Sequence, residues 1–235
     1  MSRLLEAMEI EQEYLAYRMK GEEPYHLVDK ITELGYADLT EYFNEKREYE
    51  FSHLSFDYIE KQPSECINEV LRMINEKVTG VLFVNTDEPF IFCGNGCDYD
   101  AEYCEENGIA IYPIFTNGGC IVSSNGDFSF GVCIPETTRI NCNYILNDIR
   151  DILSKYTQDV TVAGNDILID GKKVLGSATY QQNGMFMFVC HVSFVDNTEQ
   201  VQCICKKEAV KQVGYIDCMS RDEFRQEVTA WLLKQ

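Results

Sequence analysis

Apolar positions in the first part of the chain recur at helical spacing. Leu4, Leu5 and Met8, followed by Leu15 and Met19, mark one face of a helix that Ser2 can cap. Gly21 to Pro24 breaks it. A second short helix lies in PYHLVDKITELG, with proline near its first turn and glycine at its end. A third, DLTEYFNEKREYE, opens on Asp38 or Thr40 as its cap. Residues 1–62 therefore read as a small helical N-terminal extension. The pattern changes at Pro63. SECINEVLRMINEK is amphipathic, with Ile67, Leu71 and Ile74 as its apolar stripe. Short strand-like runs follow: GVLFVN, PFIFCG, IAIYPIF, GCIVSS and FSFGVCI. Thr86-Asp87, Asn117-Gly118 and Asn125-Gly126 punctuate them, and Asn-Gly between apolar runs predicts hairpins. The helix NYILNDIRDILSKY leads to a second group of strands, TVAG, DILID, KVLGSATY and MFMFVCHVSFV. The last element is a helix capped by Ser220. The expectation is an α+β domain over 63–235, with mixed, largely antiparallel sheets and covering helices.

Composition narrows the function classes. Hydrophobic residues make up 45% of the 235 positions, with 14 tyrosines and 13 phenylalanines, enough for a full core. No apolar run reaches the length of a membrane span. The N-terminus is studded with glutamate and lacks a secretory apolar block, which predicts a cytoplasmic protein. A net charge of −19 argues against nucleic acid or anionic membrane as partner. Eleven cysteines is an odd number in a chain of ordinary size, so free thiols in a reducing compartment are expected rather than a disulfide framework. Cys93, Cys97 and Cys104 lie outside common zinc spacings, and only three histidines are present.

The segment AGNDILIDGKKVLGSATY carries the most chemistry. It reads as a strand opening on Asn165-Asp166, a tight turn at Asp170-Gly171, and a second strand opening on two lysines. Alternation along a strand sends Lys172 and Lys173 to opposite faces. One lysine can then face a cavity while the other meets solvent. Gly176, Ser177 and Ala178 are small enough for a ligand or another backbone to approach closely.

GNDILIDGKKVLGSA resembles the lysine-bearing motif of lipoate–protein ligases, in which an Asn-Asp pair, a strand and a basic pair precede Gly-Ser-Ala. Biotin protein ligases have a related version. The resemblance makes Lys173, the second basic residue, the catalytic lysine. FTNGGCIVSSNGDFSF is similar to the family's acyl-pocket loop, with Asn117, Gly118, Gly119, Cys120, Ile121 and Val122 in the Ser-Gly-Gly-Gly-Ala-Val positions. The order of elements is similar over roughly 63–233. Phe115 and Thr116 replace the loop's arginine pair, Ser124 stands near its histidine, and Cys120 fills a glycine position. The longer ligases' C-terminal accessory domain has no counterpart.

The resemblance implies an ATP-dependent ligase. Lipoate, or a related medium-chain acyl group, would be activated as an acyl-adenylate and passed to a lysine of a lipoyl-acceptor domain. Lys173 would neutralise charge growing between carboxylate and α-phosphate. Asp166 would hold Mg2+. Asn117, Gly118, Gly119, Cys120, Ile121, Val122, Asn165, Gly176, Ser177 and Ala178 would contact the substrates. Without the arginine pair, Lys173, with Lys172, Lys206 or Lys207 as further candidates, would carry the phosphate charge. One alternative is an ATP-independent lipoyl or octanoyl transferase working through a cysteine thioester, for which Cys120 and Cys190 are the candidates. Another is a non-catalytic acyl-binding subunit that keeps the fold.

Overall fold

In a computed structural model, residues 2–22, 25–117, 119–138, 140–205 and 212–234 are described, with backbone alone at 115–117, 138 and 234. The chain divides into two compact units, Met1–Leu54 and Ser55–Lys234.

The first unit holds α1 (Arg3–Met19), α2 (Leu27–Glu33) and α3 (Leu39–Ser52). Their caps follow the sequence signals. The Ser2 hydroxyl accepts from the Leu5 N–H at 3.4 Å, and Asp38, rather than Thr40, caps α3 by accepting from the Glu41 N–H at 2.9 Å. Pro24 lies outside the described residues. Leu4, Ala7, Ile31, Tyr36 and Tyr42 form the small core. Glu11 is buried there, accepting from the Tyr42 hydroxyl at 2.6 Å and facing the Lys46 ammonium at 2.5 Å.

The second unit begins earlier than the change of pattern at Pro63 suggests. Asp57–Lys61, taken as part of the helical extension, is strand β1 and pairs in parallel with β2 (Gly80–Val84). Its residues are mostly exposed or half-buried, so it lacks the apolar alternation of an internal strand. The remaining strands are β3 (Phe90–Asn95), β4 (Ala110–Asn117), β5 (Cys120–Ser123), β6 (Phe128–Pro135), β7 (Val160–Ala163), β8 (Asp166–Ile169), β9 (Lys172–Gln182) and β10 (Met185–Val192). The helices are α4 (Pro63–Glu76), α5 (Ala101–Glu106), α6 (Cys142–Leu153), α7 (Thr198–Ile204) and α8 (Arg221–Lys234). The strands form a seven-stranded sheet, ordered β1-β2-β6-β10-β9-β8-β7, and a three-stranded sheet, β4-β3-β5. Apart from the parallel pairs β1–β2 and β3–β4, neighbours run antiparallel, as the α+β reading expects.

The turn signals divide into two kinds. Asp170-Gly171 and Asn183-Gly184 have positive φ at both residues and close the β8–β9 and β9–β10 hairpins. The three earlier signals do not close hairpins. Thr86-Asp87 and Asn125-Gly126 lie where the chain passes between the two sheets, and β4 and β5 flank β3 instead of each other. Turn chemistry permits a reversal; the burial of apolar faces decides which strands pair. β2, β3 and β6 are buried at nearly every position, so their partners cannot be read from alternation.

One face of the large sheet meets α4 and the small sheet. The stripe of α4 is Cys66, Val70, Met73 and Ile74, packed with Leu82, Phe90, Phe92, Cys133 and Met187. This stripe is rotated from the predicted one: Ile74 is buried, Ile67 is half-buried and Leu71 is exposed. Capping follows a reciprocal Gln62–Glu65 arrangement, with Pro63 at the first helical position. On the other side Phe224 of α8 meets Phe128 edge-on at 5.7 Å, and the Trp231 indole donates to Asp148 of α6 at 2.8 Å. Ser220 caps α8 as predicted, its hydroxyl accepting from the Glu223 N–H while Glu223 accepts from the Ser220 N–H. Among the described residues no helix is long and apolar enough to cross a membrane.

Phe188 is fully buried in β10, between β6 and β9. Phe188→Ala is expected to destabilise the domain by about 3 to 5 kcal/mol, read from urea unfolding midpoints. A loss below about 1 kcal/mol would show that the centre of this sheet is not a close-packed core.

Candidate functional site

The centre of the site is a defect in the β8–β9 ladder. Ile167 pairs with Leu175 and Leu168 with Lys173, so Val174 is left over as a bulge. The extra residue decides which lysine faces inward. Regular alternation from Gly176 would place Val174 and Lys172 on its face. With Val174 bulged, Lys173 lies on the face of Leu168, Asp166 and Gly176, and exposed Lys172 lies on the other. The outcome is the opposed pair that alternation predicts, but its sense is set by the bulge.

A segment after α7 holds the bulge. The Lys173 N–H donates to the Gln212 carbonyl at 2.8 Å, and the Lys173 carbonyl accepts from the Gly214 N–H at 2.9 Å. A Cβ on Gly214 would stand 2.8 Å from the Lys172 Cβ, so this close approach requires glycine. The Lys173 side chain folds back over Gly176, where an added Cβ would meet Lys173 Cε and Nζ at 2.8 Å each. Lys173 Nζ pairs with Asp166 Oδ1 at 2.9 Å; the carboxylate is buried and the lysine is about one-third exposed.

Register extends this into a polar row across the large sheet. Asp166 of β8 lies opposite Gly176 of β9, Gly176 opposite His191 of β10, and His191 opposite Ser129 of β6. Residues directly paired across strands share a face. His191 Nδ1 and the Ser129 hydroxyl are 2.8 Å apart, and His191 Nε2 lies 3.4 Å from Asp127 Oδ2 without hydrogen-bonding alignment. Asp127 is fully buried. Its carboxylate accepts from the backbone N–H of Ser124 at 2.8 Å, of Phe194 at 2.8 Å and of Val195 at 3.2 Å, tying the β5–β6 turn to the chain after β10.

The row opens into a cavity of about 320 Å³ between the two sheets. Lys173, Asp166, Gly176, His191, Asn197 and Cys120 are on its wall. Two buried polar atoms there, His191 Nε2 and Asn197 Oδ1, have no hydrogen-bond partner among the described residues. Such groups cost stability unless something satisfies them, and they cluster where ligands bind. A smaller cavity of about 70 Å³ lies next to it, with a nearly apolar lining that includes Val70, Phe92, Ile114, Phe130 and Met187. Ile121 borders both cavities.

The sequence-predicted residues separate accordingly. Lys173, Asp166, Gly176, Gly119, Cys120, Ile121 and Val122 come together on the larger cavity. Ala178 lies two residues beyond Gly176 and pairs with Val189 on the rim of the apolar cavity. Ser177 and Asn165 are not on either cavity wall. Ser177 Oγ donates to the Asn165 carbonyl at 2.7 Å and lies 3.3 Å from Cys142 Sγ at the start of α6. Gly118, Lys206, Lys207 and the side chains of Phe115, Thr116 and Asn117 lie outside the described residues.

The expectation of free thiols is corrected at one pair. Cys97 and Cys120 are joined as a disulfide, because the turn after β3 carries Cys97 back to the first residue of β5. Neither thioester candidate is thus a ready nucleophile: Cys120 is bonded, and burial pushes the Cys190 thiol well above its ordinary range. Sequence reading missed His191, Asp127 and Asn197. A lone histidine in the apolar run MFMFVCHV was the available signal for the first, while the other two sit in unremarkable turn sequences.

Comparison with known proteins agrees with this architecture. The family described as lipoyl protein ligase A/B catalytic domain matches residues 68–226. No curated protein sequence matches. Among solved structures, a bi-partite lipoate protein ligase of Thermoplasma acidophilum superposes with a TM-score of 0.62 at 16% identity, covering 76% of this chain and 82% of that one. LipL1 of P. falciparum, solved in complex with lipoate, gives 0.64 at 12% identity, covering 74% of this chain and 59% of that one. A lipoate-protein ligase A bound with ATP gives 0.57 at 15% identity over 74% and 83%. At these identities the likeness is one of fold. The family match spans most of the chain and includes the lysine hairpin, the bulge and the cavity wall, so the chain belongs to the lipoyl protein ligase A/B catalytic domain family.

Proposed function

We propose that this protein joins lipoate, or a related medium-chain acyl group, to a lysine of a lipoyl-acceptor domain, with ATP activating the carboxylate. The observation that carries this reading is a cation on the wall of a cavity that adjoins a second, almost wholly apolar one. Lys173 is on the wall of the larger cavity, and the apolar cavity begins across Ile121. An amphiphile with a carboxylate head and a hydrocarbon body fits that division. Relatives solved with lipoate and with ATP support the substrate classes. The bi-partite ligase was studied with its E2 lipoyl domain, which supports the acceptor class.

In this reading Lys173 is the catalytic residue. Its ammonium is held by Asp166 and its backbone by Gln212 and Gly214, so the group needs little reorganisation as negative charge grows on the reacting oxygens. Asp166, with Asp98 also on the wall, offers the hard oxygen ligands that would hold Mg2+, an ion that keeps several waters and completes its shell with phosphate oxygens. That ion would supply charge neutralisation on the phosphates. His191 and Asn197, on the wall of the same cavity, would orient the bound substrate. The ligase reading is favoured over thioester transfer because neither Cys120 nor Cys190 presents an available thiolate.

Mass spectrometry of a lipoyl-acceptor domain incubated with the protein and lipoate, with and without ATP, tests the reaction. The expected result is a lipoyl adduct that requires ATP. An adduct formed only from an acylated carrier protein would establish transfer instead, and no adduct from either donor would leave a binding subunit.

Gly176→Ala separates positioning from folding. The new methyl group collides only with the flexible end of Lys173, so the unfolding midpoint is expected to stay close to that of the parent. The acylation rate is expected to fall about 10²-fold, as for an ångström-scale misplacement of a catalytic group. An undiminished rate would mean that the lysine does not act from the position it holds here.

A further inference from the structure

Cys93, Cys97 and Cys120 bring three sulfurs within 4.8 Å of one another. They come from two strands and one tight turn. Cys93 and Cys120 are register partners in β3 and β5. Cys97 is returned toward them by the turn Gly94-Asn95-Gly96, in which the Cys97 N–H donates to the Gly94 carbonyl at 3.1 Å and Gly96 takes a φ of 77°. The Gly94 N–H in turn donates to the Gly119 carbonyl, drawing the two cysteine-bearing backbones together. A disulfide needs only two of these thiols, and the β3–β5 register sets the Cys93 thiol beside the Cys97–Cys120 bond as a third sulfur. Around a tetrahedral zinc ion with Zn–S bonds near 2.3 Å, neighbouring sulfurs stand about 3.8 Å apart. Once the Cys97–Cys120 bond is broken, three sulfurs already gathered within 4.8 Å need only small movements to take three corners of such a site.

We propose that Cys93, Cys97 and Cys120 form a redox-gated binding site for a thiophilic divalent cation, zinc by ligand preference, whose fourth position opens toward the 320 Å³ cavity. Cys97 and Cys120 are on that cavity's wall, which sets the open direction. In the oxidised state the Cys97–Cys120 bond occupies two ligands and the site is closed. Two equivalents of a small thiol open it: the S–S bond breaks, Cys97 and Cys120 take up two protons and two electrons, and the donor thiols leave as their own disulfide. Three Cys thiols then release three protons as three metal–sulfur bonds form.

The test uses the full chain, reduced with a phosphine, freed of excess reductant under anaerobic conditions and titrated with Co2+. Thiolate-to-cobalt charge-transfer absorption is expected to saturate at one ion per chain and to be displaced by Zn2+. The oxidised protein is expected to show no such band. Cys93→Ser and, separately, Cys97→Ser are each expected to raise the Co2+ dissociation constant at least about 10-fold, while Cys203→Ser, at an exposed thiol, leaves it unchanged. Cys97 is only half-buried, so its variant retains the test should serine at buried Cys93 disturb folding. Absence of the band in the reduced protein would overturn the proposal, as would a dissociation constant unaffected by Cys97→Ser.

Discussion

The site depends on one irregularity of backbone pairing, the Val174 bulge that puts Lys173 on the Asp166 face of the sheet. A strand alternates strictly, so without the extra residue the face bearing Gly176 would bear Lys172. The bulge survives because its backbone groups find partners elsewhere, Lys173 donating to Gln212 and accepting from Gly214. Glycine is required at two places for the same reason. Gly214 lets the clamping segment reach the backbone beside Lys172, and Gly176 leaves the space that the Lys173 head occupies. The ion pair with Asp166 then fixes where the charge is held.

Around that charge the large sheet supplies a row of polar groups and the small sheet supplies an apolar boundary. Asp127 is central to the first: fully buried, it binds the N–H groups of Ser124, Phe194 and Val195 and faces His191. A carboxylate withdrawn from water this far is tolerable only when its lone pairs are satisfied, which makes Asp127 a fixed joint between β5–β6 and the chain after β10. Ile121 of β5 belongs to both cavities, so the same short strand shapes the polar and the apolar side of the site. The Cys97–Cys120 bond anchors that strand at its first residue.

Local features were legible in the sequence where local physics decides them. The caps at Ser2, Asp38 and Ser220, the Asp170-Gly171 reversal and the lysine hairpin follow from nearest-neighbour chemistry. Features that depend on pairing between distant strands were not. Asn125-Gly126 looks like a hairpin turn yet carries the chain from one sheet to the other, and β1 lacks an internal strand's apolar alternation. His191 and Ser129 are 62 positions apart and become neighbours only through the β6–β10 register. The lysine that the resemblance singles out is the one turned inward, and the reason, a bulge, is invisible in the residue order.

The most direct test of this account is calorimetry of ATP with Mg2+ on the parent protein, Lys173→Ala and Lys172→Ala. With Phe115 and Thr116 in place of an arginine pair, binding is expected to be weak, carried by a point charge rather than a bidentate fork. The account predicts that Lys173→Ala abolishes binding and Lys172→Ala preserves it. Equal losses in the two variants, or binding that survives Lys173→Ala, would contradict the assignment of the inward charge to the bulged strand.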